Sequence, residues 1–193
     1  MATLFVDKID PQSGTSLEIG TSGDTITIPS GATINLSNAT QTGVGGTNTP
    51  NFRAKITTDT DFTTGQYNAV TFPSEDYDTA SAYDTSTGKF TVPSGQGGKY
   101  FIYSQLITNA KASSELEFMS MNLYKNGSNY RSVQCYFVSN PIRRFGLNLV
   151  TIENLSAGDY LQMYVYVDDA SGNPDLYNDS TNPNFFGAYK IIE

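Results

Sequence analysis

Three stretches near the start of the chain repeat one arrangement of apolar and polar positions. In Gly14-Thr-Ser-Leu17-Glu-Ile19, Gly23-Asp-Thr-Ile26-Thr-Ile28 and Gly31-Ala-Thr-Ile34-Asn-Leu36, a glycine is followed by aliphatic residues three and five positions later. Each unit reads as a turn and then a short strand, with one aliphatic pair on one face: Leu17 with Ile19, Ile26 with Ile28, Ile34 with Leu36. Six such side chains are too few for a core. Below roughly 40 residues a segment normally needs a metal, a disulfide or oligomerisation to fold. With one Cys in the chain and no evident metal set, oligomerisation remains. The favoured solution is three copies wound about an axis as a stem, aliphatic pairs inward and Thr, Ser and Glu18 outward. The alternative is an irregular β-rich arm lying on the C-terminal domain.

After Leu36 the pattern stops, and residues 39–50, with Gly43, Gly45 and Gly46, read as a linker. Alternation returns from Asn51. It predicts strands over 52–57, 68–72, 89–92, 100–107, 117–125, 130–138, 145–152, 160–167 and 184–192. Asn126-Gly127 is a strong hairpin signal, and Ser86-Thr-Gly88, Pro93 to Gly98 and Ala157-Gly158-Asp159 supply further turns. The one helix-compatible stretch, 109–117, is at most a turn or two. Short strands without helical alternation predict an all-β chain: a short β-rich trimeric stem (1–46) followed by a jelly-roll β-sandwich head (51–193).

Two of these strands carry apolar residues on both faces. Leu161, Met163, Val165 and Val167 alternate with Tyr160, Gln162, Tyr164 and Tyr166. Val133, Cys135 and Phe137 alternate with Tyr136 and Val138. A free sandwich buries one face per strand, so the tyrosine face, above all Tyr160, Tyr164 and Tyr166, reads as a subunit interface.

Composition then removes whole classes of function. The chain of 193 residues contains no His, which excludes Ser-His-Asp and Cys-His catalysis and every His-containing metal site. Its formal charge is −8, and no basic cluster exceeds Arg143-Arg144, so nucleic-acid binding is not expected. No apolar run approaches the roughly 18 residues that span a bilayer, and the first residues lack the pattern of a signal peptide. Membrane insertion and Sec export are accordingly not expected.

The run Tyr83-Asp-Thr-Ser-Thr-Gly-Lys-Phe-Thr-Val-Pro93, followed by Gly98-Lys-Tyr-Phe-Ile-Tyr103, resembles the central signature of C1q-like globular heads. Leu155-Ser-Ala-Gly-Asp-Tyr160 resembles that family's Gly-Asp turn, and Asn184-Phe-Phe-Gly-Ala-Tyr189 its closing strand. The resemblance covers about residues 51–193. It implies a ten-stranded jelly roll related to tumour necrosis factor, assembled as a compact trimer, which serves as a recognition module without a fixed target. From the residues alone, Gly88 and Gly98 read as turn positions needing positive φ, and Phe90, Tyr100 and Phe101 as core. The N-terminal 46 residues, especially Ser30 to Thr40 leading into Thr42 to Gly46, resemble stem segments of bacteriophage tail-fibre and other virion structural proteins.

Candidate chemistry outside the interface is sparse. The loop holding Asp168, Asp169, Asn173, Asp175 and Asp179 offers oxygens of the kind Ca²⁺ takes, without the EF-hand order; the simpler reading is a solvated loop, and no other cofactor is indicated. Glu75, Asp76 and Asp78 read as an acidic surface loop rather than a glycosidase pair, since nothing places two carboxyls across a groove. Cys135, with no His to activate it, reads as core filler. Sequons at Asn35, Asn38, Asn126, Asn154 and Asn178 are expected by chance in so Asn-, Ser- and Thr-rich a chain. Tyr124, Tyr130 and Tyr177, near loops and hairpin ends, are candidates for stacking on sugar rings.

Together these readings lead to the expectation of a non-enzymatic homotrimeric virion fibre, made in the host cytoplasm and displayed on the particle exterior. Its N-terminal end would attach to other virion proteins, and its head to a host-surface glycan or protein receptor. A capsid head fibre or decoration protein is the alternative.

Overall fold

The computed structural model describes residues 9, 19–34, 48–111, 115–137, 139–170 and 174–191. The chain divides into two units, Met1–Val44 and Gly45–Glu193.

In the first unit, two glycine repeats form the same turn. The Asp24 N–H donates to the Thr21 carbonyl at 3.0 Å, and the Ala32 N–H to the Pro29 carbonyl at 3.1 Å. Gly23 and Gly31 take the third position of each turn with φ of 94° and 85°, a region in which only glycine is at ease. The Asp24 carboxylate accepts from the Thr21 N–H at 2.7 Å and closes the first turn. The turns lie where the repeat predicts them, but the strands do not follow: residues 19–34 carry no strand ladder. A strand exists through its pairing partner, and a single copy of this segment offers none. Ile19, Ile26, Ile28 and Ile34 are consequently exposed, while Leu17 and Leu36 lie outside the described residues.

The second unit holds the strands β1 (Asn51–Lys55), β2 (Thr60–Asp61), β3 (Tyr67–Ala69), β4 (Ser74–Asp78), β5 (Tyr83–Asp84), β6 (Lys89–Thr91) and β7 (Gly98–Asn109). After these come β8 (Leu116–Lys125), β9 (Ser128–Tyr136), β10 (Arg144–Leu155), β11 (Tyr160–Asp169), β12 (Asp175–Leu176) and β13 (Phe185–Lys190). No helix occurs among the described residues.

All pairings are antiparallel and build two sheets. One runs β4-β1-β13-β7-β10, with β12 on β7 beyond the end of β13 and β2 on β12. The other runs β5-β6-β11-β8-β9, with β3 on β11 beyond β6. The fold is a jelly-roll sandwich, as the alternation predicts.

The core between the sheets comes from one face of each strand, including Tyr100, Ile102 and Leu106 of β7, Met119, Met121 and Leu123 of β8, and Leu161, Met163, Val165 and Val167 of β11. An aromatic stack fills one end: Phe52 lies parallel to Tyr83 at 4.8 Å and to Phe90 at 4.7 Å, with Phe186 edge-on at 5.0 Å. Phe101, which the sequence places in the core, instead lies on the outward side of β7, because it alternates with Tyr100 and Ile102.

Turns that look independent in sequence are bound together. Asn126 and Gly127 take φ of 52° and 82°, as a two-residue hairpin loop requires. The Asn126 side chain donates to Asp159 at 2.8 Å and accepts from the Tyr160 N–H at 2.9 Å, so this hairpin is tied to the Gly158-Asp159 turn. Lys125 adds an ion pair to Asp159 at 2.8 Å.

Candidate functional site

Register defines two outward faces. On the seven-stranded sheet, Tyr103 of β7 stands between Val150 of β10 and Gly187 of β13, and Phe101 between Ile152 and Tyr189. Arg53 of β1 lies opposite Gly187 on one side and Tyr77 of β4 on the other. The tyrosine hydroxyls of Tyr77 and Tyr103 meet at 2.9 Å, and Phe101 stacks on Tyr189 at 5.2 Å. Val150 is 62% exposed and Ile152 57%, an aliphatic edge directly beside this aromatic row.

On the six-stranded sheet, rings from four strands meet. Tyr136 of β9 lies 4.4 Å from Phe118 of β8, Phe118 lies 5.6 Å from Tyr166 of β11, and Tyr166 lies 5.1 Å from Tyr67 of β3. Tyr124 stacks on Tyr164 at 4.0 Å. Ser120 and Asn122 are buried among them and hydrogen-bonded to each other at 2.9 Å. Tyr160, Tyr164 and Tyr166 share this face, as the alternation predicts, and are already half-buried by their own chain. Burial pushes the Tyr124 hydroxyl pKa upward, and the neighbouring Tyr67 and Tyr164 add to the shift.

The acidic positions are not brought together. Asp168 is exposed on the six-stranded face, whereas Asp169 and Asp175 are buried. Asp175 accepts from the Asn109 side chain at 3.2 Å and lies 3.7 Å from Lys111; burial raises its pKa against those partners. Asp179 caps its own turn, accepting from the Thr181 N–H at 2.9 Å, and Asn173 lies outside the described residues. Among the described residues no three His, Cys, Asp or Glu side chains form a group able to hold a metal ion.

Glu75, Asp76 and Asp78 belong to strand β4 rather than to a loop. Asp76 sits at a bulge and pairs with Arg53 and Lys55, and Asp78 accepts from the Tyr83 N–H at 2.8 Å. Cys135 lies opposite Met119, half-buried, in keeping with packing.

The expected sugar-stacking tyrosines are largely engaged. Tyr124 is stacked on Tyr164, Tyr130 donates to Glu153 at 2.8 Å, and the Arg144 guanidinium lies 3.3 Å from the Tyr177 ring centroid. Among the described residues the exposed rings are Tyr67, Tyr77 and Tyr136, of which the sequence singles out none as a ligand contact. Tyr67 lies one residue before the strand that alternation predicts over 68–72, and Tyr77 lies on β4, too polar to show alternation.

A polar clasp joins the sheets at β9 and β10. Glu153, 6% exposed, accepts from Tyr130, from Arg131 Nε at 2.5 Å and Nη2 at 2.9 Å, and from Thr151 at 2.7 Å. Burial works to raise its pKa. The hydrogen bonds and the Arg131 charge outweigh burial and hold the carboxyl below its ordinary value.

No protein-family model matches the sequence, and no curated relative matches it. Solved structures do share the fold. The globular domain of zebrafish complement 1qA matches with a TM-score of 0.53 at 13% identity, covering 75% of this chain and 98% of that one. A tumour necrosis factor, Eiger from S. frugiperda, matches with 0.54 at 16% identity, covering 74% and 92%. Murine APRIL matches with 0.52 at 12% identity, covering 73% and 98%. The second unit therefore has a C1q/TNF-like jelly-roll fold.

Proposed function

We propose that the protein is a non-enzymatic, homotrimeric virion fibre protein whose first unit forms the stem and particle-anchoring end and whose jelly-roll head attaches to a host surface. The observation that carries this reading is the outward face of the seven-stranded sheet. A sandwich needs apolar residues only between its sheets, yet Phe101, Tyr103, Val150, Ile152 and Tyr189 face solvent together. Another copy of the chain is the natural cover, because such aliphatic and aromatic patches are what homo-oligomer interfaces bury.

The exposed isoleucines of the repeat support the same assembly: three parallel copies supply the pairing partner and the apolar contact that one copy lacks. The C1q/TNF-like fold and the resemblance of the N-terminal repeat to phage stems support the remainder. Trimerisation would give avidity, since second and third contacts become intramolecular.

The test is light scattering on the full chain, together with adhesion of the chain to host cells and to capsids. A trimer that binds cells and blocks infection is expected. A stable monomer at micromolar concentration overturns the assembly. A trimer that ignores cells but restores stability to particles lacking it overturns the adhesive role and makes this a capsid decoration protein.

A further inference from the structure

We propose that the cleft on the outward face of the six-stranded sheet is a carbohydrate site that takes a neutral pyranose unit of a surface glycan; the inference rests on the host-attachment reading and gives it a ligand class. The cleft, of about 430 Å³, is lined by Tyr67, Phe118, Gln134, Tyr136, Tyr166 and Asp168. That volume falls within the roughly 300–1,000 Å³ of ordinary small-molecule sites. Tyr136 is 65% exposed and Tyr67 51%, so ring surface is presented to solvent rather than spent on the core.

A pyranose is amphipathic in the manner this cleft requires. Its C–H face packs on aromatic rings, and its equatorial hydroxyls seek acceptors and amides at the edge. Asp168 and Gln134 supply those groups. Both are exposed, and neither side chain makes a hydrogen bond or ion pair among the described residues. A second hollow of about 360 Å³ shares Tyr136 and adds Phe137, Ser139, Asn140 and Ile142, a mixed apolar and polar lining that extends the surface toward a further sugar.

Charge and composition select this occupant over others. No Lys or Arg lines the cleft, it carries a carboxylate, and the chain bears −8, so sialylated, phosphorylated or uronic acid glycans are repelled. No aliphatic side chain lines it, in contrast to Val150 and Ile152 on the opposite sheet, which makes that other sheet, rather than the Tyr160, Tyr164 and Tyr166 face that the alternation suggests, the place for a second copy.

The experiment applies full-length protein to an array of neutral, amino-sugar and acidic glycans. Retained glycans are then titrated by tyrosine fluorescence, which is readable because the chain has no Trp. Neutral glycans are expected to be retained and acidic ones not. Tyr136→Ala is expected to weaken the titrated affinity about ten-fold, Asp168→Asn about three-fold, and Glu75→Gln on the opposite sheet to leave it unchanged. Absence of any neutral glycan, preference for acidic ones, or wild-type affinity in both cleft variants overturns the site. Loss of the oligomer in Tyr136→Ala, read by light scattering, overturns it in favour of a self-interface. Because cell adhesion is measured separately, a protein that adheres to cells yet fails on the array loses the sugar site while the fibre reading stands.

Discussion

The ring of Tyr103 lies directly over the backbone of Gly187: a Cβ on that glycine would come within 2.5 Å of Tyr103 Cζ and 2.9 Å of the Phe52 carbonyl oxygen. The glycine thus lets a large ring bridge β7 and β13 on the outward face, where its hydroxyl reaches Tyr77. Gly187→Ala has to displace the ring or push the neighbouring strands apart. We expect a loss of about 1–3 kcal/mol in urea unfolding and a weakened oligomer in light scattering of the same sample.

Gly88 is constrained more severely. Its φ is 74°, and an added Cβ would stand 2.4 Å from the Val70 carbonyl oxygen, a backbone atom that no rotamer change can move. Gly88→Ala should cost more than about 2 kcal/mol by denaturant titration, whereas Gly95→Ala, with φ of 73° and open space around it, should cost about 1 kcal/mol.

Val150→Asp and Ile152→Asp test the apolar outward face. Each places a charge on a surface that is solvent-exposed in one copy, so the melting temperature of the isolated head should move little. The proposed trimer should dissociate, read by native mass spectrometry at micromolar concentration.

Acid should loosen the head through Glu153 and Asp159. Burial opposes ionisation of Glu153, but its hydrogen bonds and Arg131 prevail; Asp159 is drawn to about 2, chiefly by the hydrogen bond from Lys125, then by Asn126 and the Ser156 N–H. Both folded pKa values lie below the unfolded ones of about 4.3 and 3.9, so this stabilisation is fully present above those values and is lost as pH falls through the folded pKa. Unfolding midpoints should drop between about pH 4.5 and 2. Glu153→Ala, which leaves four donor groups on Tyr130, Arg131 and Thr151 without their acceptor, should cost about 2–4 kcal/mol at pH 7 and flatten that acid dependence.

The head's strands were legible because their alternation reflects a physical necessity: one face of each must meet the opposite sheet. Leu161, Met163, Val165 and Val167 announce β11, and Asn126-Gly127 announces the β8–β9 hairpin. Strand β4, Ser-Glu-Asp-Tyr-Asp, was invisible because its polar residues pair along a sheet edge and bury little. Strands β2 and β12 were equally hidden, being two residues each, with β12 held by β7 and β2 by β12.

By itself the sequence determined the all-β class, the turn glycines, most inward residues of the long strands, Phe101 excepted, and the exclusion of His-dependent chemistry, since each of these follows from local backbone preference or from composition. Only the tertiary structure decided which outward residues become neighbours. Tyr67, Phe118, Tyr136 and Tyr166 sit on four strands, and their meeting depends on β11 pairing with both β3 and β8, and β8 with β9. Asp168 and Asp169, adjacent in the chain, diverge because a bulge and the sheet's pleat send one to solvent and bury the other. Periodicity tells which side of a strand a residue occupies, but long-range pairing, set by the packing of the whole core, tells what it faces there.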